Sequence, residues 1–205
     1  MDQRQRFEQW FGGLAAIGRA AGGGWQRFAW TREDRQARRW FTDLAHDVGL
    51  DVELDGNGNL WAWWGEPGPD SIVTGSHLDT VANGGAYDGA LGVVSGLLAV
   101  DDLCRTRGSA PPPRSLAVAA FADEEGGRFN LPCFGSKLLT GALEPAAVLD
   151  RRDADGVSVA EAMADFDAGA DPSGIGPDRE RLGRIGAFVE LHVEQGRGLA
   201  DLGVG

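Results

Sequence analysis

Two short stretches of the chain are apolar almost without interruption. Ile72-Val73-Thr74-Gly75 runs into Ser76-His77-Leu78-Asp79-Thr80, and Ser115-Leu116-Ala117-Val118-Ala119-Ala120-Phe121-Ala122 runs into Asp123-Glu124-Glu125-Gly126-Gly127. Continuous runs of this length predict strands buried on both faces, the usual state of a parallel sheet between layers of helix. A third run, from Gly186 to Gly196, predicts another strand with polar residues at its end, among them His192, Glu194 and Gln195. Each run therefore delivers titratable side chains to one end of a sheet.

Helical spacing accounts for most of what lies between. Phe7, Trp10, Phe11 and Leu14 share a face within Phe7–Arg19, ahead of the Gly22-Gly23-Gly24 break. Thr31 is placed as an N-cap with Glu33 and Asp34 in the first turn. Ala37, Trp40, Phe41, Leu44 and Ala45 then mark an apolar face that stops near Gly49. Val52–Asp55 and Leu60–Trp64 flank Gly56-Asn57-Gly58-Asn59, the signature of a hairpin, and its tryptophans are read as packing groups. Gly89–Leu103 predicts a buried helix whose small residues allow close approach to a sheet, with Asp88 at its start. A short helix is expected near Ser136–Gly141. Val148–Gly186 reads as mostly acidic loop, with one helix around Val159–Phe166. Strands alternating with helices define the expected fold class: α/β, layered, with a mainly parallel sheet and helices on both faces. In such sheets ligands collect at the carboxyl ends of the strands.

Bulk properties remove several classes of function. Thirty-one acidic against nineteen basic residues give a net charge of -12, which argues against a nucleic-acid partner. No apolar run reaches the ~18 residues of a membrane span, and the start of the chain lacks the apolar segment of a secretory signal. The expected setting is cytoplasmic, with Cys104 and Cys133 as reduced thiols and His46 as a surface histidine.

The remaining chemistry gathers at the strand ends. His77 and Asp79 are two apart on extended chain and so share a face; Asp88 follows in a glycine-rich turn; Glu124 and Glu125 are adjacent and must diverge; His192 arrives from a third strand. Imidazole with carboxylate suits zinc, or manganese, cobalt or nickel. Two such ions about 3.5–4 Å apart can polarise a carbonyl and activate water, and a carboxylate left free of the metal serves as general base.

These residues carry a resemblance. Gly75-Ser76-His77-Leu78-Asp79-Thr80 with Gly84-Gly85-Ala86-Tyr87-Asp88-Gly89, then Glu124-Glu125-Gly126-Gly127-Arg128-Phe129, then Glu190-Leu191-His192-Val193-Glu194-Gln195-Gly196, together with Gly24–Thr31, resemble the hydantoinase/carbamoylase family. That family comprises allantoate amidohydrolases, N-carbamoyl-L-amino acid hydrolases and β-ureidopropionases within the di-metal carboxypeptidase and aminoacylase superfamily. The motifs look closest to the allantoate branch without separating the branches. The resemblance implies two divalent cations, with His77, Asp88 and His192 on the first and Asp88, as bridge, with Glu125 on the second. It implies Glu124 as general base, Asp79 as support for His77, and Gln195 facing a small-molecule ureido substrate. A dipeptidase or N-acyl-amino-acid amidase of the same superfamily is the alternative within enzymes, although those relatives place a carboxylate where His192 stands. A non-catalytic, metal-retaining module is the alternative outside them.

The family also draws a further histidine on the second cation from a late segment, and this chain has no histidine after His192. Residues 1–205 are accordingly expected to be the N-terminal portion of the metal-binding catalytic domain. The lid, through which the full-length protein would form a homodimer, and the remainder of the catalytic domain would lie elsewhere.

Overall fold

The computed structural model describes residues 1–108, 110–166 and 171–204. Residues 167–170, part of the stretch expected to be loop, lie outside the described residues. The sheet contains β1 (Asp51–Leu54), β2 (Leu60–Trp64), β3 (Ser71–His77), β4 (Leu116–Phe121) and β5 (Ile185–Val189) in the order β1-β2-β4-β3-β5. β3 runs parallel to both β4 and β5, whereas β1–β2 and β2–β4 are antiparallel. The sheet is thus mixed rather than mainly parallel: the hairpin read from Gly56-Asn57-Gly58-Asn59 exists, and it is stitched onto β4.

Alternation along the strands fills both faces. Leu60, Ala62, Val118 and Ala120 meet α1 (Gln3–Ala15), α2 (Arg32–Asp47) and α3 (Ala90–Arg107) through Leu14, Ala37, Phe41, Val93, Val94 and Leu97. On the opposite face Trp61, Trp63, Ala117 and Ala119 pack with Val73 and with Leu139 of α4 (Phe134–Thr140), and α6 (Arg179–Leu182) adds Leu182. A separate cluster forms where Trp30, Phe129, Phe134 and Leu138 meet Val159 and Met163 of α5 (Val159–Ala164). Trp61 and Phe41 are both fully buried, each contributing about 1.5–3 kcal/mol of transfer free energy. α7 (Gly198–Leu202) closes the described chain.

Local signals set most boundaries. Thr31 accepts from Asp34 N as N-cap of α2, and Gly49, at φ +81°, follows its end. Helix α1 begins four residues before Phe7 because Asp2 and Gln5 form a capping box, and it stops at Ala15. The hairpin loop is organised by buried Asp55. Its Oδ1 accepts from the amides of Asn57 and Asn59 (both 2.9 Å), and its Oδ2 accepts from Asn59 Nδ2 (2.8 Å) and Trp61 Nε1 (3.0 Å). Helix α6 and the 3-10 turn Pro172–Gly174 correct the reading of their region as loop. Asp178 accepts from Arg181 N and supplies a cap that a four-residue helix needs.

Candidate metal centre

Strand β3 ends at His77, whose ring is buried at the carboxyl edge of the sheet. The chain then turns through 78–88 and re-enters order at α3, whose N-cap is Gly89 at φ +64°. A Cβ at Gly89 would lie 2.5 Å from the His77 carbonyl oxygen and 2.6 Å from the ring. Only glycine allows the start of α3 to close against the histidine. That closure brings Asp88 Oδ1 to 3.5 Å from His77 Nε2, and His192 Nε2 approaches the same oxygen at 3.3 Å. Donor atoms of His77, Asp88 and His192 all lie within 4.8 Å of one another.

Asp79 sits beyond the end of β3, and its parts divide the work. Its backbone oxygen lies 3.0 Å from His77 Nδ1, whereas its nearest carboxylate oxygen is 3.6 Å away. The carboxylate instead accepts from Glu124 N (3.1 Å) and Glu125 N (3.0 Å), binding the β3 turn to the β4 turn. The Asn59 amide completes this join: its Oδ1 accepts from Ala122 N at 2.9 Å, immediately before the acidic turn. Glu124 Oε2 then faces His77 Nε2 at 3.7 Å, and Glu124 Oε1 accepts a hydrogen bond from Cys133 Sγ at 3.4 Å. Glu125 reaches Asp88.

The third strand is shorter than its sequence suggests. Pairing with β3 ends at Thr74↔Val189, so His192 lies beyond β5 rather than in it. The chain leaves the sheet because it crosses the start of α3: the Leu191 carbonyl would stand 2.6 Å from a Cβ on Gly92. Gln195, at φ +47°, donates from Nε2 to Asp88 Oδ2 at 2.5 Å, so its side chain rests against that carboxylate.

His77 Nε2 and Asp88 Oδ1 are buried and have no hydrogen-bond partner among the described residues. An imidazole nitrogen and a carboxylate oxygen left bare beside a second imidazole are what a divalent cation with N/O preference requires, so the residues fit such an ion. Without one, the electrostatics call for positive charge. Burial opposes a charged His77 ring, but Asp79, Asp88 and Glu124 outweigh it and hold the imidazole well above its usual value. The contact with His77 lowers Asp88 to about 2, against the opposing effect of burial. Burial, then the neighbouring charge of Asp88, raises Glu125 to about 7. Asp123 is pushed well up by burial and by Asp79 and Asp34, and neither of its carboxyl oxygens has a partner among the described residues.

All seven residues singled out in the sequence occupy one region. The contribution of Cys133 could not be read from the chain, because it sits nine residues past Glu124 at an irregular helix start, with φ +59°. Burial, then the Glu124 carboxylate, raises its thiol, which therefore stays protonated and donates. Asn59 escaped notice for a different reason: a turn asparagine carries no mark of what it bonds 63 residues away.

Residues 59–167, just over half of the chain, match the model of Peptidase family M28. The N-carbamoyl-L-amino acid amidohydrolase of Geobacillus stearothermophilus is 38% identical, over 100% of this chain and 49% of the relative. The allantoate amidohydrolase of Bacillus subtilis (strain 168) is 39% identical, over 93% of this chain and 46% of the relative. Among solved structures, a hydantoinase/carbamoylase family amidase from Burkholderia ambifaria superposes with a TM-score of 0.79 at 31% identity, covering 99% of this chain and 48% of that one. The chain therefore belongs to Peptidase family M28, and its likeness to the hydantoinase/carbamoylase amidases runs through nearly all of its length. It spans about half the length of the curated relatives it matches.

Proposed function

We propose that the protein carries the cation-binding and proton-transfer residues of a hydrolase that cleaves the C–N bond of a ureido (carbamoyl) group. Addition of water to such a group releases an amine, carbon dioxide and ammonia. The observation that carries this reading is the meeting of His77, Asp88 and His192 donors within 4.8 Å, two of them buried and bare, beside Glu124. The named activities of the two curated relatives supply the substrate class.

In this reading His77, Asp88 and His192 hold one divalent cation. Asp88 and Glu125 would contribute to a second, together with the further histidine that the resemblance places elsewhere; zinc, manganese, cobalt and nickel suit the donors. Such cations supply a Lewis acid for the carbonyl and lower the pKa of water. Glu124, half-exposed and steered by the Cys133 thiol, takes a proton from water and delivers it to the leaving nitrogen. Asp79 supports the arrangement through His77 and the two glutamate amides. Gln195, next to Asp88, is within reach of a substrate polar group.

Metal content after dialysis against zinc or manganese is the first measurement on this chain; because residues 1–205 alone are expected to have little or no activity, ammonia release from an N-carbamoyl-L-amino acid and from allantoate is then followed in the full-length protein. Glu124→Gln is expected to retain cation and to lower turnover by roughly 10²–10⁴-fold. A wild-type protein that holds no cation, or a Glu124→Gln variant with unchanged turnover, would overturn the proposal.

A further inference from the structure

Arg27 is 1% exposed, yet its guanidinium hydrogen bonds go to main-chain carbonyls: Nε donates to Leu78 O (2.7 Å) and Nη1 to Ile17 O (3.2 Å). Burying a cation on neutral acceptors is unfavourable unless the contacts are well made. Burial brings the guanidinium down to about 10, against the pull of the Asp79 and Asp34 charges, so it remains charged at neutral pH. Leu78 is the residue between His77 and Asp79.

The main chain around Arg27 grips the following residues. Arg27 N donates to Thr80 Oγ1 (2.9 Å), Thr80 N donates to Arg27 O (3.1 Å), and Thr80 Oγ1 donates to Trp25 O (3.3 Å). Trp25 and Gly84 exchange two further backbone bonds (3.1 and 2.8 Å). The turn that carries the chain from His77 toward Asp88 is thus clasped along 78–84 by residues 25–27. Those residues lie some fifty positions earlier in sequence and supply no donor to the cluster.

We propose that Arg27 is a positioning residue for the metal centre: by fixing the Leu78 carbonyl it sets the direction in which His77 and Asp79 leave β3. The inference rests on the cation-binding reading above. Supporting residues of this kind typically change metal affinity by roughly 10–100-fold.

The test is a Co²⁺ titration of the protein followed by the visible d–d absorption of bound cobalt, with thermal unfolding of the metal-free protein in parallel. Arg27→Met is expected to weaken Co²⁺ by about 10–100-fold and to alter the d–d band. Arg27→Lys should retain part of the affinity, because it keeps one donor and the charge. An Arg27→Met protein that melts earlier but binds Co²⁺ with wild-type affinity and spectrum would overturn the proposal and leave Arg27 a purely structural residue. Should neither Arg27 variant fold, Thr80→Val decides: it removes only the hydroxyl bonds to Arg27 N and Trp25 O. A several-fold loss of Co²⁺ affinity supports the clasp, and an unchanged affinity refutes it. Failure of the wild-type protein to bind Co²⁺ would overturn the cation-binding reading itself, and the Arg27 proposal with it. Wild-type binding with unaffected variants would remove Arg27 alone.

Discussion

The two sides of the candidate metal centre are built differently. His77 ends β3, and Asp88 and the Glu124–Glu125 turn follow β3 and β4, two adjacent interior strands of the sheet. There each strand has a neighbour on both sides, and the turns are cross-tied by Asp79, Asn59 and Arg27. His192 comes from beyond β5, which among the described residues is an edge strand paired with β3; Phe188 and Val189 of this strand and Leu191 after it are exposed. The side chain of His77 is 2% exposed and that of His192 is 35% exposed. One side is therefore pre-organised before any cation arrives. The other is held by few contacts, and in the proposed reading a side chain hung this way has ordering entropy still to lose on binding a cation.

The largest expected effect separates these sides directly. His77→Ala should reduce cation affinity well beyond the ~10–100-fold typical of a lost supporting group, because it deletes a preset ligand and opens a void in a buried region. His192→Ala should cost less, on the order of tenfold. Isothermal titration with Zn²⁺ ranks the two, and equal losses would erase the contrast between interior and edge.

A smaller effect concerns backbone tolerance. Gly89→Ala forces a methyl group against the His77 carbonyl and ring at a positive φ, and should destabilise the metal-free protein by about 2–4 kcal/mol. Gly196→Ala, on the His192 side, meets the Glu194 carboxylate at 3.1 Å, an exposed side chain that caps Gly198 and Leu199, and should cost about 1 kcal/mol or less. Urea unfolding of both variants measures this, and a mild Gly89→Ala would mean that the β3 end gives way more readily than its contacts imply.

The smallest effect is one of pH, and the groups behind it all belong to the β3 and β4 ends. His77, Asp123 and Glu125 are raised in the folded protein, Glu125 to about 7. The stability linked to them is fully present below their unfolded values and is lost as pH rises through the folded ones. Asp88, lowered to about 2, acts oppositely, and its contribution disappears only as pH falls from about 4 toward 2. Metal-free protein should therefore be more stable near pH 5 than near pH 8. Glu125 accounts for about 1 kcal/mol of this once solvent screening at its partly open position is allowed for, or a Tm shift of roughly 2–4 °C. Glu125→Gln should flatten that slope. Cation binding should run the other way, weakening as pH falls, because His77 and Glu125 must first shed protons. A melting temperature that rises from pH 5 to pH 8 without metal would contradict these assignments.

How much of this was legible in the chain follows from what local pattern can encode. The apolar runs ending at His77 and Phe121 announce buried strands because both faces of β3 and β4 are covered, and the Asn-Gly loop announces its hairpin. Strand partners are another matter. Nothing in Leu60–Trp64 says that it pairs with Leu116–Ala120 across more than fifty residues, so the antiparallel half of the sheet stayed hidden. The end of β5 at Val189 is likewise decided by α3 crossing its path, which no periodicity within 186–196 records. The ligand-type residues could be picked out because histidines are scarce and carboxylates sit at strand ends. The groups that hold them, Arg27, Asn59 and Cys133, could not, since each works through a contact distant in sequence.

The Asp79 carboxylate acts as a mechanical linkage between two turns. A single hydrogen bond between two turns is a pivot: it fixes a distance and leaves rotation free. Asp79 grips two successive amides, those of Glu124 and Glu125, with one oxygen each, and a two-point attachment turns the pivot into a rigid joint. The backbone from which both glutamate side chains leave is held at two points, with Glu124 reaching His77 and Cys133 and Glu125 reaching Asp88. The placement of two adjacent, chemically identical side chains is thereby set by a residue that holds them through their backbone amides.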